Sequence, residues 1–237
     1  MRIARLVPVI LTAGLLAVVA FAADKKTATD QFWIAPDFAS YPINSIALLP
    51  PATFDGNFEN RRLVETAVGQ ALRGSGHRWV SSFMIRDIMM KNGGDSLSQA
   101  LNEKLLRTPR LDSLDAPRLS RLLRTRAILT VRVDQMERRE LEPGQSGRPI
   151  TAVHLRAALV DSTGRLLWTA SSLETLEGAQ QDAESNVIGV KASGLNNQGI
   201  GNTTAAPAFQ EVLTKLCARW KEPFPKRALP DSTAAPK

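Results

Sequence analysis

Apolar positions recur along this chain with two periods, and the switch between them divides it. Leu63, Val64, Ala67, Val68, Ala71 and Leu72 fall on one helical stripe, at i, i+1, i+4, i+5, i+8 and i+9. Asn57 or Asn60 can cap its start, and Gly74 and Gly76 are residues on which helices commonly stop. Ser81 or Ser82 opens a second helix carrying Phe83, Ile85, Ile88 and Met89, and the stretch KNGGD interrupts it. Leu97, Ala100, Leu101 and Leu105 mark a further helix. Asp115 is expected to cap the next one, with Pro117 in its first turn and Leu119, Leu122 and Leu123 on its apolar face. Phe209, Val212, Leu213, Leu216 and Trp220 share one face of a closing helix.

The period then drops to two. Ala127, Leu129, Val131 and Val133 alternate with Ile128, Thr130, Arg132 and Asp134, which predicts a strand with one face toward water. Val153, Leu155, Ala157 and Leu159 repeat the pattern, and the turn DSTG leads into a return strand with Leu166, Trp168 and Ala170 on one face. That spacing sends Trp168 toward the core, with its rim within reach of a neighbouring subunit. Ile46 to Leu49, stopped by Pro50 and Pro51, suits a strand buried on both faces, and HRWVS suits another. The expected fold is therefore α/β in the mixed sense. One domain over 43–222 holds a mostly antiparallel sheet of about five strands covered by helices.

The remaining segments lack a period. Residues 23–42, with Pro36 and Pro42, are expected to form an extended lead-in. Residues 173–206 are rich in Gly, Asn, Gln and Ala and are expected to be a mobile loop. The tail over 223–237 has the composition of a disordered segment.

Composition adds a compartment. Arg2 and Arg5 precede an uncharged apolar run from Leu6 to Phe21, and Ala20-Phe21-Ala22 has the pattern of a cleavage site. This is the layout of a secretory signal peptide over 1–22. The run is short for a helix crossing ~30 Å of hydrocarbon, and no later run is apolar enough to span a bilayer. The expected location is the periplasm. Cys217 is the single cysteine, so the fold must rest on its apolar core rather than on an internal bridge. The formal charge is +7; taking Arg2 and Arg5 from the 30 basic residues leaves 28 against 23 acidic, or +5. Such an excess favours anionic envelope polymers or lipid headgroups. Export, and the lack of aromatics among the basic residues, argue against nucleic acid.

Candidate chemistry is sparse. The two histidines, His77 and His154, do not share metal-ligand spacing with each other or with Cys217, and neither a phosphate-binding loop nor a nucleophile elbow is present. No metal or cofactor is expected. His154 would act as a general base only with a nucleophile beside it, which sequence alone does not reveal. A dense arginine span remains, and within it Arg121, Arg124 and Arg126 are candidate contacts for an anionic polymer or a partner. Its structural alternative is a solvated helix face.

Three segments, SIALLPP (45–51), RAILTVRV (126–133) and LRAALVDSTGRLLWTAS (155–171), occur in an order that resembles a superfamily of bacterial envelope proteins. The group includes the curli secretion channel subunit, the Pel polysaccharide export lipoprotein, outer-membrane activators of penicillin-binding proteins and small lipoproteins of unassigned role. The matching positions are Ile46 to Leu49, Leu129 to Val133, Asp161, Gly164 and Trp168. The resemblance implies a non-enzymatic α/β domain that assembles into rings or docks on export or assembly machinery. Its partners would be envelope proteins or further copies of itself. Two departures stand out. Ala23 occupies the place where relatives carry a lipid-bearing cysteine, and no pair of alternating segments suits a barrel hairpin. A regulator of a peptidoglycan synthase, or of its glycan, is the second reading; a periplasmic hydrolase using His154 is the third.

Overall fold

A computed structural model describes residues 30–142, 144–182 and 206–227. The expected signal peptide, most of the expected mobile loop and the last ten residues of the tail lie outside the described residues. The elements run β1 (Gln31–Ile34), β2 (Ser45–Leu48), α1 (Phe58–Leu72), β3 (Arg78–Val80), α2 (Ser82–Arg107), α3 (Asp115–Leu123), β4 (Ala127–Arg139), β5 (Ile150–Asp161), β6 (Leu166–Glu177) and α4 (Phe209–Ala218). The strands form one sheet in the order β1-β6-β5-β4-β2-β3. β2 is parallel to β3 and β4, and every other pairing is antiparallel. The expected α/β domain is observed, with six strands rather than five.

The sixth strand is β1, inside the expected lead-in. Its four residues pair with Trp168 to Ser171 of β6. An exposed edge strand needs no buried face, so it leaves no period for sequence to show.

Local signals set most boundaries. The Asn57 side chain accepts from the backbone N–H of Glu59 and Asn60 and caps α1. Ser81 caps α2 through the N–H of Met84. As expected, KNGGD interrupts the helix: α2 consists of two helical stretches that meet at a kink, with non-helical backbone at Gly93 and Gly94. Asp115 is not a cap. Asp112 performs that work, its Oδ1 accepting from the N–H groups of Leu114 and Asp115.

Both faces are covered at β2 and over the first half of β4, which corrects the expectation of a wet face there. On one side α1 and α4 bury Leu129, Val131, Leu155, Leu159 and Trp168. On the other, α2 and α3 cover Ala47, Leu49, Ile128 and Val160. A bulge opposite Leu159 and Val160 gives β6 an extra residue, Leu167. Leu166 therefore turns to the α2–α3 side and does not share the face of Trp168.

The β5–β6 turn is fixed from within. Asp161 Oδ1 accepts from the backbone of Thr163 and Arg165. Gly164 has φ +89°, and a Cβ there would sit 2.8 Å from the Asp112 carbonyl oxygen. Only glycine meets both demands.

The tail also differs from its composition. Phe224 is buried against Trp168 and Trp79, and Arg227 donates its backbone N–H to Ser75 O. Burial of one aromatic ring anchors a segment that Pro223 and Pro225 mark as irregular.

Candidate functional site

Each candidate residue has a definite place. Trp168 has 0% exposure and packs edge-on against Trp220 and Phe224. It is a core residue, and the partner-contact reading of it is corrected.

Arg121, Arg124 and Arg126 are all exposed and surround one shallow depression with Pro117, Ser120, Thr125 and Ser162. Arg124 ends α3 in the left-handed region, at φ 50°. That reversal turns the chain from the helix into β4, and it is held by Thr125 Oγ1 donating to Ser45 O. Among the described residues no carboxylate pairs with any of the three. Their charge is open to solvent and to an anionic partner.

His154 has the neighbour that sequence alone did not reveal. Cross-strand diagonals put its Nε2 3.1 Å from Ser171 Oγ, and Asp134 Oδ2 lies 3.7 Å from its Nδ1. The three side chains follow the order of a nucleophile, a base and an orienting acid. Two features depart from that chemistry. Asp134 is spent on Arg132, at 2.5 Å, and on Arg156, at 2.7 Å. At 3.7 Å, the Asp134 oxygen is also too far from His154 Nδ1 for a hydrogen bond. Moreover, Ser171 sits mid-strand, paired with Arg156 of β5 and Gln31 of β1, so it stands on a regular ladder and not on a turn that aims free backbone N–H groups at an oxyanion. Burial holds the His154 pKa below the ordinary histidine value; Asp134 raises it, while Arg156 and Arg132 lower it. Cys217 is buried in α4, and burial pushes its thiol up to about 12. Among the described residues no group of three metal-ligating side chains gathers.

Sequence reading missed two apolar surfaces. Phe32, Trp33 and Ile34 on β1 are all exposed, and β1 has one unpaired edge. At the far end of the sheet, the start of α1 exposes Phe58 and the first three turns of α2 expose Phe83 and Met90. Phe83 and Met90 are two helical turns apart, and Arg86 between them lies over the Phe58 ring at 5.9 Å. A groove of about 250 Å³ lined by Pro50, Pro51, Phe58, Met89, Met90 and Leu101 runs beside them. Its signal in sequence was present, since Phe83 falls outside the apolar stripe set by Ile85 and Met89.

These features define a mixed-sheet α/β domain whose exposed apolar surfaces lie at the two ends of the sheet. No protein-family model and no curated protein matches the chain. Solved structures similar to it include a PelC dodecamer from Paraburkholderia phytofirmans, 15% identical, covering 85% of this chain and 99% of that one, with a TM-score of 0.44. Lipoprotein GNA1162 from Neisseria meningitidis is 20% identical over 62% of this chain and 93% of its own, with a TM-score of 0.43. The hypothetical protein CT253 from Chlamydia trachomatis is 11% identical over 76% and 96%, with a TM-score of 0.40.

Proposed function

We propose that this protein is a non-catalytic accessory protein of the cell envelope. It is exported to the periplasm, and it self-associates or docks onto an export or assembly machine. The observation that carries this reading is the pair of exposed apolar surfaces, Phe32-Trp33-Ile34 on β1 and Phe58-Phe83-Met90 at the opposite end of the sheet. Two different surfaces at opposite ends of one subunit suit head-to-tail contact, which closes into rings when the rotation allows. An unpaired strand edge also accepts a strand from another chain. The leader pattern and the sparse chemistry of the sequence fit the same role. Light scattering on the purified protein, with crosslinking in the envelope, tests it. Assemblies or a recovered envelope protein are expected; a strict monomer that recovers no envelope protein contradicts it.

A second reading rests on Arg121, Arg124 and Arg126 around one depression. In it the protein regulates a peptidoglycan synthase or binds the glycan itself. Cosedimentation with sacculi that falls when the three are changed to Ala supports it; unchanged binding removes the arginines from any such role.

A further inference from the structure

Beyond Leu166 the α2–α3 layer leaves β6 uncovered, and this strip of the sheet holds a cavity of about 570 Å³. Its floor is made of short side chains, Ala158, Thr169 and Ser171. Its walls are Thr108 and Arg110 from the α2–α3 connection, His154 and Arg156 from β5, and Gln31 from β1. The connection is pinned to the sheet, because Thr130 Oγ1 donates to Pro109 O at 2.8 Å. By the alternation of β1, Trp33 stands on the same face as Gln31, directly across from Thr169. Trp33 is 45% exposed.

The charges around this cleft do not balance. Arg132 and Arg156 share the single carboxylate of Asp134. Arg132 also donates to the Leu106 carbonyl and is held away from solvent. Arg156 Nε forms an ion pair with Asp134 Oδ2 at 2.7 Å, and its two terminal nitrogens are left without an acceptor among the described residues. Arg110 has no acidic partner among them either. The cleft therefore presents two guanidinium forks with unused donors, a geometry matched to a carboxylate or phosphate. Around them stand a row of hydroxyl and amide groups and one exposed indole. Such a set suits a small ring that carries an acid, hydroxyls and an apolar face.

The geometry points to a binding site for a carboxylated sugar in this cleft. Arg110 and Arg156 hold the carboxylate. Ser171, Thr169, Gln31 and Thr108 meet the hydroxyls, and Trp33 covers the apolar face of the ring. The site is separate from the Arg121-Arg124-Arg126 depression and from the Phe58-Phe83-Met90 surface; it shares Trp33 with the β1 surface, but its test reads sugar binding and not self-association, so the two readings fail separately.

Calorimetric titration of the purified protein with glucuronate, glucose and inorganic phosphate tests this, with indole fluorescence as a second readout. Glucuronate is expected to bind with a Kd of about 1 mM or tighter, and glucose at least about tenfold more weakly, or ~1.4 kcal/mol. Arg110→Gln, at an exposed position, is expected to weaken glucuronate by at least about tenfold. Trp33→Phe is expected to remove the fluorescence change and keep the heat. Absence of binding up to about 50 mM glucuronate overturns the site. Glucose binding as tightly, or Arg110→Gln without effect, overturns the role of the guanidinium pair. Phosphate binding as tightly as glucuronate overturns the assignment to a sugar.

Discussion

The indole of Trp168 meets the ring of Phe224 edge-on, with centroids 5.0 Å apart and planes 76° apart. One residue lies mid-sheet and the other beyond the closing helix, so the contact ties the segment after α4 to the centre of the core. Trp220 completes the group, its Nε1 donating to Ser172 Oγ at 2.9 Å. Phe224→Ala is expected to lower the stability of the fold by about 3–5 kcal/mol, the usual cost of deleting a buried ring. Trp168→Ala is expected to cost a similar amount. Trp168→Phe should cost far less, because the Trp168 Nε1 is buried without a partner among the described residues and its removal relieves that penalty. Urea unfolding of the three variants measures the order.

Gly164 separates conformational strain from collision. Gly164→Ala places a Cβ 2.8 Å from the Asp112 carbonyl at φ +89°. Gly76→Ala, at φ +81° and ψ -4°, meets only ordinary contact, with the Arg227 Cβ 3.4 Å away. The second is expected to cost about 1 kcal/mol from backbone conformation, and the first clearly more. Comparison of their urea midpoints checks the difference, and equal midpoints would deny the close packing of the turn on the 112–113 loop.

Cys217 is expected to be inert while the protein is folded. Burial disfavours its thiolate, with a smaller opposing pull from Arg219, and the pKa moves from 9.0 up to about 12. At pH 8 iodoacetamide should leave the native thiol untouched and modify it fully in urea. The linkage has a definite sign. The folded state keeps its proton where the unfolded state releases it, so the thiol's contribution is complete below pH 9 and is lost as pH rises toward about 12.

His154 gives the opposite window. Its folded pKa lies below the ordinary 6.5, chiefly through burial. Below that value the unfolded chain takes up a proton that the folded chain refuses. The contribution of this residue to stability is therefore full above pH 6.5 and declines as pH falls. An NMR titration should place the imidazole below 6.5, and Arg156→Gln should move it upward by removing a neighbouring positive charge.

Legibility in the sequence followed periodicity. Val64, Val68 and Leu72 announced α1, and the alternation from Ala127 and from Val153 announced β4 and β5, because each buries a regular face. β1 was hidden because its side chains point to solvent and so carry no period. The tail was hidden because Pro223 and Pro225 report local irregularity, while the burial of Phe224 depends on where α4 ends. Trp168 was correctly sent toward the core, but its companion Leu166 was misplaced by a bulge that no spacing rule shows. The site was less legible than the fold. Arg121, Arg124 and Arg126 are close in sequence and remain together. The pairing of His154 with Ser171, of Asp134 with Arg132 and Arg156, and of Arg110 with the cleft depends on strand register and on one pinned loop.

The most direct test of function through two unlike surfaces is a mixing experiment read by light scattering. One variant carries Trp33→Asp on the β1 edge, and the other carries Phe83→Asp on the α2 face. Head-to-tail contact leaves each variant with one intact surface, so each alone should be monomeric and the mixture should yield a dimer and nothing larger. The unaltered protein should form larger assemblies. An unaltered protein that stays monomeric and recovers no envelope protein on crosslinking would contradict it, as would variants that assemble like the parent.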